Sequence, residues 1–94
     1  MDIKVIHTID GRPPIIAKCE KVNRSDYYTL EDPFVLLYYR DEDGSERVRV
    51  NNLLVFAAGN EITVKTDHVL FMYDPSEETV EFYNKHLNNE GTND

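Results

Sequence analysis

The residues of this chain best suited to chemistry are three histidines, one cysteine and 18 carboxylates, and their spacing does not assemble them. His7, His68 and His86 lie far apart, with none of the close spacings that let two imidazoles grip one metal ion. Cys19 and a distant histidine would formally make a nucleophile and its base. Yet Cys19 stands mid-strand among alternating neighbours, the setting of a buried structural thiol. Glu77, Glu78 and Glu81 fall in the first turns of an expected helix, where carboxylates complement the macrodipole without any ligand. Asp41-Glu42-Asp43-Gly44 lacks the spaced ligands and closing glutamate of an EF-hand, so a solvated turn is expected there. Four well-separated glycines build no phosphate loop. The chain is therefore expected not to be an enzyme, with no catalytic residue, no metal site and no cofactor.

Composition narrows the remaining classes. Ninety-four residues, 40% apolar and 30% charged, match one small globular domain and not a disordered tail. No window approaches the roughly 18 consecutive apolar residues of a membrane span. Met1-Asp2-Ile3-Lys4 lacks a signal peptide's basic start and apolar run, so a cytoplasmic protein with no membrane partner is expected. A single cysteine excludes an intramolecular disulfide. The net charge of −8 argues against non-specific DNA binding, which runs on phosphate neutralisation. Residues 75–94 alone carry five acidic residues and one basic one, whereas residues 1–26 are nearly balanced. A local basic face made by Arg12, Lys18, Lys21 and Arg24 is therefore compatible with the total, as is a merely solvated hairpin face.

The elements that must position these residues read as β for three quarters of the chain. Ile3–Ile9 roughly alternates and ends at Asp10-Gly11, a pair suited to a type I′ turn. Pro13-Pro14 delays pairing, and Ile15–Val22 follows as a second strand, with Ile15, Ala17 and Cys19 on one face. Phe34–Tyr39 does not alternate, so both its faces should be covered. Glu46–Phe56 is expected as a long fourth strand and Ile62–Tyr73 as a further long stretch. Neither contains a proline to blunt an exposed edge, which points to pairing between subunits. The period then changes. Asp74 as cap, Pro75 at the first helical position and Val80, Tyr83 and Leu87 on one stripe predict a short helix over 75–87. Residues 88–94 should fray into a disordered tail.

Two segments carry a family resemblance. Thr8-Ile9-Asp10-Gly11-Arg12, then Ile15-Ile16-Ala17-Lys18, then Asp26-Tyr27-Tyr28-Thr29-Leu30-Glu31-Asp32 resembles the first signature of the Sm-like (LSm) family. There a strand, an Asp-Gly turn and a second strand lead to a loop of the form Asp, aromatic, Met, Asn, Leu and an acidic residue. Val64-Lys65-Thr66-Asp67-His68-Val69-Leu70-Phe71 resembles the second, apolar-Arg-Gly-Asn/Asp before an apolar strand. The resemblance spans about residues 3–74 and is strongest to short Sm-like proteins attributed to marine phages, which implies a viral source and the host cytoplasm.

What the resemblance implies is a mainly β fold: a five-stranded, strongly bent Sm-like (SH3-like) small barrel over residues 1–74. The C-terminal helix would pack on the same domain. Such barrels assemble into homo-oligomeric rings, here pentamer to heptamer, and bind single-stranded RNA at two pore-side loops. Carried over, Tyr27 would stack on a base and Thr29 would take the Asn position. Lys65 and Asp67 would take the Arg and Asn/Asp positions, with His68 beside them as a contact or a turn residue. The departures fall on this site. Thr29 replaces an amide that both donates and accepts, Lys65 loses the planar fork of arginine, and Thr66 stands where a glycine lets the chain turn closely. Two functions are consistent with the pattern: an RNA-binding ring that modulates RNA processing or stability, and a structural or protein-interaction ring that binds a host protein. The sign of charge around the pore-side loops discriminates them. Convergence of Lys65 with the 12–24 basic group favours RNA, and dominance by Asp26, Glu31, Asp32 and Asp67 disfavours it.

Overall fold

The computed structural model describes residues 1–92, with side chains described through residue 88. Its strands are β1 (Asp2–Thr8), β2 (Ile15–Lys21), β3 (Tyr27–Arg40), β4 (Glu46–Asn52), β5 (Glu61–Lys65) and β6 (Val69–Tyr73), followed by helix α1 (Glu77–Thr92). All pair antiparallel in one sheet, ordered β4-β3-β2-β1-β6, with β5 also on β3. The mainly β fold with a C-terminal helix is as the sequence predicts. The strand count is not: the sheet has six strands and is unclosed, where five strands in a barrel were expected.

The difference arises at two places. The expected fourth strand ends at Asn52 instead of Phe56. Beyond it the chain leaves the ladder because β3 kinks at Asp32, whose φ is 51°. Leu53 N–H donates to the Pro33 carbonyl at 3.0 Å and Asp32 N–H to the Asn60 carbonyl at 2.8 Å. The kink thus takes up both ends of an excursion over 53–60, and the two halves of β3 pair separately with β4 and β5. The second place is 62–73, where a 3-10 turn at Thr66–His68 breaks the expected run. Thr66 N–H donates to the Asp26 carbonyl at 2.8 Å and Ile9 N–H to the His68 carbonyl at 2.9 Å, so other loops pull this corner out of extended geometry.

Turn and cap chemistry also differ. Gly11 has φ 75° but Asp10 does not share the positive φ that a type I′ turn needs. Asp10 instead acts through its side chain, accepting from Thr8 Oγ1 at 2.6 Å and from Arg12 N–H at 3.3 Å. At the helix, Asp74 does not cap; it pairs with Lys4 at 2.5 Å. Ser76 takes the cap, its Oγ accepting from Thr79 N–H, and the helix begins at Glu77 and runs past Leu87 to Thr92. Of the expected tail, residues 93–94 lie outside the described residues.

The core has two clusters, one on each side of the sheet. Ile6, Ala17, Cys19 and Leu30 fill the inner face, backed by Ile15, Tyr28, Ile62, Val64, Val69 and Met72. Val5, Ile16, Phe34 and Tyr83 fill the face that α1 covers. Tyr83 is 1% exposed, edge-on to Phe34 with ring centroids 5.8 Å apart. Its hydroxyl donates to the Asp32 carbonyl at 2.8 Å, tying the helix to the kink. Burial, and next the nearby Asp32 carboxylate, push the Tyr83 phenol well above its ordinary pKa. Tyr83 and Leu87 of the expected stripe pack on this cluster, and Val80 is half-buried. Phe34–Tyr39 is covered only in part, because Tyr38 and Tyr39 are exposed.

Candidate nucleic-acid interface

Strand alternation decides which tyrosine is available. Tyr28 and Leu30 pack inward, so Tyr27 and Thr29 point out of the sheet, and Tyr27 is 41% exposed. Tyr27 pairs with Lys65 across the β3–β5 ladder, which sets the two side chains beside each other on the outer face. The Thr66–Asp26 hydrogen bond then clamps the 3-10 turn onto the start of β3. Together they enclose a cleft of about 290 Å³ lined by Asp26, Tyr27, Lys65, Thr66 and Asp67.

Of the residues singled out from sequence, Tyr27, Lys65 and Asp67 meet in this cleft. Thr29 and His68 do not line it. Thr29 lies half-buried opposite Thr63, and His68 is exposed, holding Ile9 through its backbone carbonyl. Asp26 and Thr66 complete the lining. Thr66 stands at the glycine position of the second signature, and the structure adds it to the lining. Among the described residues no ion pair holds Lys65, Asp26 or Asp67, so one ammonium and two carboxylates face the cleft unneutralised by a partner.

The basic group of the first hairpin does not converge there. Arg12 pairs with Asp10 at 2.9 Å and Lys18 with Asp32 at 3.3 Å, while neither Lys21 nor Arg24 lines the cleft. By the charge criterion, the cleft carries one net negative charge, the outcome that counts against RNA. Cys19 is buried in the inner cluster, where desolvation raises the thiol's pKa and keeps it in its unreactive form. No group of three or more metal-ligating side chains occurs among the described residues.

Three apolar features lie elsewhere on the surface. A groove of about 750 Å³ runs between the C-terminal half of β3, β4 and α1, lined by Pro13, Pro14, Leu36, Tyr38, Val48 and Phe82 among others. Strand β6 has β1 on one side only, and its Leu70 and Phe71 are 62% and 49% exposed. In the 53–60 excursion Phe56 is 100% exposed. No helix among the described residues is long and apolar enough to cross a membrane. No protein-family model and no curated protein sequence matches the chain.

Proposed function

We infer that the chain is an Sm-like, ring-forming protein that binds single-stranded RNA at the cleft between Asp26-Tyr27 and Lys65-Thr66-Asp67. The observation that carries this reading is the meeting of the two signature segments, far apart in sequence, around one exposed tyrosine ring with a lysine beside it. An exposed ring next to a cation is the minimal apparatus for holding one unpaired base: stacking is worth about 1–3 kcal/mol per base and tolerates any base. Assembly would use the free edges. Strand β6 offers unpaired backbone groups with apolar side chains, β4 and β5 each have one neighbour, and such edges pair with another copy unless blocked. A head-to-tail contact of this kind closes into a ring of five to seven copies when the rotation allows.

The alternative, a ring that binds a host protein, is favoured by the apolar groove beside α1 and by the two carboxylates facing Lys65. Native mass spectrometry with and without a short single-stranded RNA containing all four bases tests both. A five- to seven-subunit mass that shifts by one RNA, with the shift lost in Tyr27→Ala/Lys65→Ala, supports the first reading. A ring that never takes RNA supports the second, and a monomer overturns both.

A further inference from the structure

Resting on the RNA reading above, we propose that the cleft selects guanine among the four bases. The basis is the donor and acceptor inventory of the lining. Asp26 and Asp67 are ionised carboxylates that only accept hydrogen bonds, and Lys65 only donates them. None of the three is engaged in an ion pair among the described residues, so their hydrogen-bonding capacity is open to a ligand. A base stacked on Tyr27 would present its edge to this set.

Guanine alone has two adjacent N–H donors on its Watson–Crick edge, at N1 and N2, which match the two oxygens of one carboxylate. Its O6 and N7 are acceptors, the pair that a lysine recognises. Uracil offers a single N3–H between two carbonyl oxygens, and those oxygens would confront a carboxylate. Adenine offers its N6 amino group beside an acceptor, and cytosine likewise at N4. Each therefore satisfies one carboxylate oxygen and repels the other. The two carboxylates also disfavour a phosphate in the cleft, which leaves the uncharged base edge as the group that enters. The cleft of about 290 Å³ is large enough for one base. Thr29, standing outside the cleft, adds no amide to counter the preference.

The test is fluorescence anisotropy of the full chain with labelled 5′-UUGUU, 5′-UUAUU and 5′-UUUUU, and competition by guanosine monophosphate. We expect 5′-UUGUU to bind between about fivefold and about 150-fold more tightly than 5′-UUUUU, the range of one bidentate pair. Asp67→Asn and Asp26→Asn, both at exposed positions and checked for unchanged thermal unfolding, should between them abolish that ratio. Competition by guanosine monophosphate with the same aspartate dependence supports guanine recognition and identifies a free nucleotide as a source besides RNA. Equal or tighter binding of 5′-UUUUU, lost in Tyr27→Ala, overturns guanine selection and leaves the RNA reading standing. No binding of any oligonucleotide by the intact ring overturns both.

Discussion

The two halves of β3 make different surfaces from one continuous strand. Residues 27–31 pair with β5 and carry a small polar cleft; residues 34–40 pair with β4 and border a larger apolar groove. The backbone pivot between them is Asp32-Pro33. Asp32 sits at φ 51°, a conformation that Asp tolerates better than most side-chain-bearing residues, and Pro33 needs no N–H partner. On one side of the pivot, alternation leaves an outward tyrosine beside a lysine. On the other, α1 packs on the face that carries Phe34, while Tyr38 and Tyr39 stay exposed. The proposed base cleft thus lies on the half that pairs with β5, away from the Phe34–Tyr83 packing.

The largest effect should come from cutting the link between pivot and helix. Tyr83→Ala removes a fully buried ring and its bond to the Asp32 carbonyl, and should cost about 3–5 kcal/mol in urea denaturation. A loss below 1 kcal/mol would mean that α1 does not anchor the groove half. Tyr83→Phe keeps the ring and isolates the hydroxyl, with an expected cost of about 1 kcal/mol.

Next in size is Tyr27→Ala, which should leave the unfolding midpoint nearly unchanged and weaken RNA binding by about 1–3 kcal/mol. An equal loss of stability and binding would show that the ring belongs to the core. A smaller effect is expected at the pivot's ion pair. Asp32→Asn retains a residue that tolerates positive φ and removes the partly exposed pair with Lys18, for about 0.2–1 kcal/mol, shrinking as salt rises. A loss of several kcal/mol, insensitive to salt, would show that the carboxylate does more than pair with Lys18.

The smallest effect concerns the turns outside both halves. The Thr8 hydroxyl holds Asp10 below the usual carboxylate pKa, and the Ser45 backbone N–H does the same for Asp43. A folded pKa lowered in this way gives stability that is present above the unfolded value, near 4, and lost as pH falls through the folded value. Asp10→Asn and Asp43→Asn should therefore flatten the acid limb of a stability-against-pH curve while leaving neutral-pH unfolding almost unmoved. A steeper limb in either variant would reverse the assignment.

What the sequence made legible was local. The helix stripe with Tyr83 and Leu87 and the buried Cys19 follow from period alone, whereas which of Tyr27 and Tyr28 faces outward is set by the inner cluster. The features that escaped depend on partners distant in the chain. Leu53-Leu54-Val55-Phe56 has every property of a strand, and leaves the ladder because Leu53 and Asn60 are claimed by the kink. Asp74 and Pro75 have the pattern of a helix start, but Lys4 takes the aspartate and the cap moves to Ser76. At the cleft, the meeting of the two loops was foreseen from resemblance. The sequence left the 12–24 basic group open between a basic face and a solvated hairpin, since the ion pairs of Arg12 and Lys18 are tertiary choices invisible to a charge count.

Cys19 gives the molecule a built-in clock. Its sulfur projects into the inner cluster from a strand bonded on both sides, so reagent reaches it when that packing loosens. The rate at which a thiol probe labels the native protein therefore times the loosening of the inner cluster, and not the accessibility of the outer surface. Because the chain has no second cysteine, that one rate reports a single event, and it does so without adding any label site to the sequence.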